Sequence, residues 1–137
     1  MKKTIQLKNY EIVNIVRALN GEGGLLASKE RVLPVSILWV INSNYKALNI
    51  IFERIREEEQ KINNEFFGDS EKNFVNDEGI QEVKDEYKEE FTNRKNELFN
   101  ISNDVDVSML RLSDVELFSL SPVEFSSIDF MITEDEE

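Results

Sequence analysis

Carboxylates are the only abundant groups in this chain with chemistry to offer. Of its 137 residues, 28 are Asp or Glu and 16 are Lys or Arg, with no His and no Cys. The absence of Cys excludes a thiolate nucleophile, a disulfide framework and a Cys-ligated zinc or iron–sulfur cluster. The absence of His removes the commonest general base and transition-metal ligand, which excludes Ser–His–Asp and Cys–His catalysis and most hydrolytic zinc sites. What remains is acid/base work between facing carboxylates, or a hard cation held by oxygens. Glu57, Glu58 and Glu59 form one acidic run, and Glu89 and Glu90 another. Both fall in charged helical stretches, where carboxylates are solvated rather than opposed across a cleft. Asp104, Asp106 and Asp114 are the least implausible cation ligands, but alternation with valines assigns the first two to the wet face of a strand. The stretches from Asp69 and from Asn76 lack the calcium-loop pattern with its closing Glu. The sequence therefore predicts no catalytic residue, no cofactor and no metal, and leaves Glu57, Glu58, Glu59, Glu89 and Glu90 as candidates for a partner-binding surface.

The elements that position these glutamates follow from periodicity. Residues Thr4–Leu7 read as a short strand. Asn9 is placed to cap a helix over about Tyr10–Asn20, whose Ile12, Ile15, Val16 and Leu19 follow helical spacing, with Gly21 as a left-handed stop. The Gly21–Gly24 stretch lacks the Gly-Lys-Ser/Thr ending of a phosphate loop and reads as a linker. Pro34 then opens a long helix to about Phe67. Along it Leu38, Ile41, Tyr45, Leu48, Phe52, Ile55, Ile62 and Phe66 recur at steps of three and four, a heptad seam interrupted only at Glu59. Val35, Ile37, Trp39, Val40, Ile50 and Ile51 widen the apolar surface of the first half, which predicts that this half, Trp39 and Tyr45 included, lies in the core. The break at Glu59 reads as a weakening of the seam towards the arm tip; alternatively Glu59 fixes register or meets a basic partner.

Residues Gly68–Gly79 supply a turn, with Phe74 and Val75 at its tip or in a small hairpin. A second seam, Ile80, Val83, Tyr87, Phe91 and Leu98, predicts a helix from about Ile80 to Asn100 antiparallel to the first. Val105, Val107 and Met109 then alternate with Asp106 and Ser108 as a strand, which is expected to pair with the N-terminal strand. Ser113 with Glu116, and Ser121-Pro122 with Glu124, form two capping boxes, the second opening a helix through Val123, Phe125, Ile128, Met131 and Ile132. The fold class is thus α+β, mostly α. A coiled-coil arm, the antiparallel helical hairpin, stands on a small body with a short two-stranded sheet and C-terminal helices. The length suits one domain, residues 1–137. Its body is about 1–52 and 101–132, its hairpin about 53–100 and its acidic tail 133–137.

Charge is uneven. Residues 1–52 hold 7 basic and 3 acidic groups, a net of +4. Residues 53–98 hold 8 and 15, and residues 99–137 hold 1 and 10, for a chain total of −12. Such a surface repels phosphate backbones, so direct nucleic-acid binding is not expected; the acidity either only keeps the protein soluble, or attracts a basic partner or imitates nucleic acid in a basic groove. The longest apolar run, Ile37–Ile41, is about a quarter of a membrane span. No apolar stretch of the signal-peptide kind follows Met1-Lys2-Lys3. The expectation is a protein of the cytoplasm with no membrane partner, and dimerisation through the heptad arm is open.

The order of parts resembles small acidic phage and prophage proteins of low-GC bacterial hosts, catalogued mostly as domains of unknown function. The resemblance rests on Ile5-Gln-Leu-Lys-Asn-Tyr-Glu-Ile-Val-Asn-Ile-Val, the Leu33-Pro34 helix start and the charged hairpin. It rests more specifically on Val105-Asp-Val, Leu112-Ser-Asp-Val-Glu, Leu120-Ser-Pro-Val-Glu and Asp129-Phe-Met-Ile. The resemblance implies a viral origin and a task performed by binding. Two function classes follow as expectations. One is an antagonist of a bacterial defence effector, in the manner of an anti-CRISPR protein, with the acidic arm imitating nucleic acid in a basic groove in the host cytoplasm. The other is a virion component or tail-assembly accessory protein whose hairpin docks on another phage protein.

Overall fold

The computed structural model describes residues 2–21, 24–26 and 32–134. The fold is α+β and mostly α. Contacts divide the chain into two compact units, one of Met1–Phe52 with Ser102–Glu137 and one of Glu53–Ile101.

In the first unit, strand β1 (Lys2–Lys8) pairs antiparallel with β4 (Ser102–Ser108), from Lys2 opposite Ser108 to Lys8 opposite Ser102. Alternation decides the faces. Leu7, Val105 and Val107 are buried, while Thr4, Gln6, Asp104 and Asp106 share the exposed face. Met109 lies beyond the end of this ladder. Helix α1 (Asn9–Asn20) buries Ile12, Val13, Val16 and Leu19. Its start differs from the expectation. Lys8 is the capping position, and its backbone N–H donates to the Glu11 carboxylate at 3.0 Å. Asn9 is instead buried, and its Oδ1 accepts from Asn103 Nδ2 at 2.8 Å, a bond that ties β4 to the helix entry. Gly21 ends the helix in extended backbone, not a left-handed one, with its N–H on the Arg17 carbonyl. Gly24 is pressed against α1: a Cβ there would stand 2.3 Å from the Ala18 carbonyl oxygen. That close approach lets Leu25 bury and Leu26 N–H bond to Leu19 O. Glu22 and Gly23, the middle of the expected linker, lie outside the described residues.

Helix α2 (Val35–Phe67) contributes residues to both units. The Pro34 carbonyl accepts its first bonds, from Ile37 and Leu38 N–H. The seven-residue series Ile41, Leu48, Ile55 and Ile62 is buried throughout. The broad apolar surface of its first half is not. Val35, Trp39 and Ile50 are 80%, 67% and 60% exposed, so the expectation that Trp39 is a core residue fails, and Tyr45 is only half-buried. The physical reason is angular: at 100° per residue these three positions fall on the side opposite Ile37, Ile41 and Leu48.

The C-terminal segment departs most. Strand β5 (Leu110–Arg111) pairs in parallel with β6 (Ile132–Thr133), a contact between segments with no strand-length signal. Ser113 is not a cap, because α4 (Leu112–Val115) is one turn starting after Arg111. The second capping box is present at α5 (Pro122–Ile128). Ser121 Oγ accepts from Glu124 N–H at 3.1 Å, and the Glu124 carboxylate accepts from Ser121 N–H at 3.0 Å. The helix stops at Ile128, a 3-10 turn (Asp129–Met131) follows, and Ile132 is in β6 rather than helical. Thr133 is buried in β6, so it belongs to the body and not to the expected acidic tail, whose residues 135–137 lie outside the described ones. Buried Asn44 of α2 ties this unit together. It donates to Ser108 O at 2.8 Å and accepts from Ser108 N–H at 2.9 Å, closing the end of β4.

In the second unit, α2 ends at Phe67 and its last carbonyls are met by side chains. Asn73 Nδ2 donates to the carbonyls of Phe66, Phe67 and Asp69, and Gln81 Nε2 to Phe67 O. Strands β2 (Asn73–Val75) and β3 (Gln81–Val83) form an antiparallel hairpin. Its turn is fixed by Asn76, whose Oδ1 accepts from both Glu78 and Ile80 N–H, and by Gly79 at φ +80°. A left-handed residue is required there, which favours glycine. Ile80 and Val83 are therefore not helical. Helix α3 (Asp85–Phe99) starts later than the expected Ile80, because the β-hairpin consumes the intervening residues. Phe91 meets Phe66 and Phe67 edge to face, at 5.1 and 5.6 Å between centroids. Arg94 bonds Glu65 at 2.7 Å and Lys95 bonds Glu59 at 3.2 Å. Partners of higher number on α3 meet lower numbers on α2, so the two helices are antiparallel.

Candidate functional site

The five glutamates singled out by their runs do not form one cluster. Glu57 is exposed and lines a surface groove along α2 with Glu53, Arg56, Glu59 and Asn63. Glu58 bonds Lys61 at 3.0 Å one turn on, and that bond with its charge raises the Lys61 ammonium above its ordinary value. Glu59 is half-buried and turned inward to Lys95, whose ammonium also lies 5.2 Å from the Phe91 ring. The polar break in the heptad is thus answered inside the hairpin. Glu89 and Glu90 are both exposed but lie about 100° apart on α3, so they face different directions.

What the runs conceal, helical spacing reveals. Glu86, Glu90, Asn93 and Glu97 stand at i, i+4, i+7 and i+11 on α3, and all four are exposed. They make an acidic stripe about 16 Å long on one face. Adjacency in sequence points to Glu89 and Glu90, and only the helical period adds Glu86 and Glu97. A second effect belongs to the fold alone. Of the 15 acidic side chains in residues 53–101, 12 are exposed, whereas only 4 of the 8 basic ones are. Lys72 lies over the Phe66 and Tyr87 rings at 5.2 and 5.7 Å, Lys95 over Phe91, and Arg94 against Glu65. The Lys72 and Lys95 ammoniums lie over the aromatic seam as cation–π contacts while most of the acidic side chains stay in water. Folding makes the surface of this unit more negative than its composition.

Asp104 and Asp106 sit on the exposed face of β4, where Asp106 accepts from Thr4 Oγ1 at 2.6 Å, and Asp114 is exposed on α4. Among the described residues no group of three or more acidic side chains is placed to hold a metal ion. A cleft in the first unit between α1 and α5, lined by Asn14, Ile15, Ala18, Pro122, Val123 and Ser126, contains no titratable side chain. Among the described residues, no helix is long and apolar enough to cross a membrane.

No protein-family model matches this chain. Neither the curated proteins nor the solved structures give a match.

Proposed function

We propose that the protein works by binding a basic protein partner through the acidic surface of the unit formed by residues 53–101. The observation that carries this reading is the segregation of charge there: exposed carboxylates outnumber exposed cations three to one. Such a field speeds encounter with a basic surface and sets selectivity against acidic ones. Together with the family resemblance, this supports an anti-defence role. The acidic face of α3 would occupy the nucleic-acid groove of a bacterial defence effector in the host cytoplasm, without chemistry of its own.

The test is phage plating on a host that carries a defence system and expresses the protein. Wild-type protein should restore plating, and the purified pair should dissociate as salt rises through a few hundred millimolar. Glu86→Lys with Glu90→Lys and Glu97→Lys should abolish restoration while leaving the helical circular-dichroism signal intact. These positions are preferable to Glu59, whose reversal would oppose Lys95 and disturb the hairpin itself. Unchanged restoration by the triple variant would remove the acidic-face mechanism. Recovery of the tagged protein with capsid or tail proteins would favour the assembly role instead.

A further inference from the structure

The first half of α2 carries a feature that the acidic unit does not explain. Val35, Trp39 and Ile50 are 80%, 67% and 60% exposed, all in the first unit. They lie within about 60° of one another around the helix and span about 22 Å along it. Lys46 falls inside the same stripe and is exposed. Neither the Trp39 nor the Lys46 side chain makes a hydrogen bond, ion pair or ring contact among the described residues. Three large exposed apolar side chains on one helix face, a tryptophan among them, have the composition of an interface rather than of ordinary helix surface.

We infer that this stripe docks on the same stripe of a second copy of the chain, antiparallel, about a two-fold axis near residues 42 and 43. The sequence is self-complementary in that register. Val35 faces Ile50 of the second copy, and Trp39 faces Lys46, with both contacts repeated by symmetry, as an isologous interface requires. The two Lys46 ammoniums then lie over the two indole faces rather than over each other, a favourable cation–π pairing. Asn42 and Ser43 meet at the axis, where their small polar side chains allow close approach. Parallel pairing would instead set Lys46 against Lys46. From the exposures, the stripe offers roughly 500 Å² per copy, or roughly 1,000 Å² in the pair, the lower edge of specific interfaces. An interface of that size predicts a weak, concentration-dependent dimer. It is a different surface from the heptad hairpin.

Trp39 is the sole tryptophan, so its emission reads this interface directly. Sedimentation equilibrium and fluorescence across about 1 to 300 μM should show mass rising from monomer to dimer while Trp39 emission shifts to shorter wavelength over the same range. Ile50→Lys should weaken association at least tenfold and hold the emission red at all concentrations. Lys46→Glu should weaken it several-fold, and Lys46→Arg should retain it. Both positions are exposed, and an unchanged circular-dichroism spectrum establishes that the variants fold. A monomer at every concentration overturns the proposal. So does a dimer whose formation leaves Trp39 emission unchanged, since association would then occur elsewhere, the hairpin included. A dimer unaffected by Ile50→Lys overturns it as well.

Discussion

Truncation of Phe66 is the sharpest perturbation of the unit that carries the acidic surface. Its side chain is fully buried, its ring meets Phe91 edge to face at 5.1 Å, and Lys72 lies 5.2 Å from its centroid. Phe→Ala in a core costs about 3–5 kcal/mol through lost transfer energy and the cavity left behind. Within that total, the edge-to-face pair accounts for about 0.5–1.5 kcal/mol and the cation for about 0.5–1. An expected loss of about 4 kcal/mol corresponds to a urea midpoint lower by about 2 M at a typical slope of about 2 kcal/mol/M. Phe91 is half-buried, so Phe91→Ala should cost less, about 2–3 kcal/mol. The double variant should then cost less than the two singles together by the pair energy, about 0.5–1.5 kcal/mol. The assay is urea unfolding followed at 222 nm for the wild type, both singles and the double. A Phe66→Ala midpoint within about 0.3 M of wild type at unchanged slope would refute the aromatic seam as the centre of this unit. Strict additivity would refute direct contact between the rings.

Other consequences follow from single contacts. Asn44→Ala removes both partners of Ser108, and the stranded backbone groups should cost about 3 kcal/mol, seen as a melting temperature lower by about 10 °C. A change under about 2 °C would mean that water replaces Asn44 there. Ser121→Ala should cost about 1 kcal/mol as the cap of α5 is lost, whereas Ser113→Ala should change stability by less than about 0.5 kcal/mol, measured by chemical denaturation. Equal effects would contradict the assignment of one capping box and not the other. The Asp85 carboxyl accepts from Lys88 at 2.9 Å, and that bond with its charge holds Asp85 below its ordinary value. A carboxyl depressed in the folded state contributes stability above its unfolded value, and the contribution fades as pH falls through the folded one. Both groups are exposed, so the readout is the Asp85 carboxyl resonance itself. Its titration should move up toward the ordinary value in Lys88→Met, and an unmoved midpoint would show that the ion pair does not form in solution.

Several elements were legible in the sequence because their signals are local. The steps of three and four from Leu38 to Phe66 place α2 without reference to the rest of the chain. The alternation of Val105 and Val107 with Asp104 and Asp106 places β4 and its wet face. Ser121, Pro122 and Glu124 specify their own cap. Composition alone excluded thiol and imidazole chemistry. The tertiary structure decided whatever depends on a partner distant in sequence. Asn9 is a buried acceptor for Asn103 rather than a helix cap, since only the β1–β4 pairing brings the two together. Leu110 and Ile132 pair as strands too short to show a period. Trp39 faces outward although its segment is rich in apolar residues on several faces, because the choice of inner face is made by what packs on Ile37, Ile41 and Leu48. The acidic site divides in the same way. The sequence determined that residues 53–101 hold 15 acidic and 8 basic groups. Only folding turned Lys72 and Lys95 onto the aromatic seam, where a cation gains from the ring faces, and Glu59 inward, where its carboxylate is paired with Lys95.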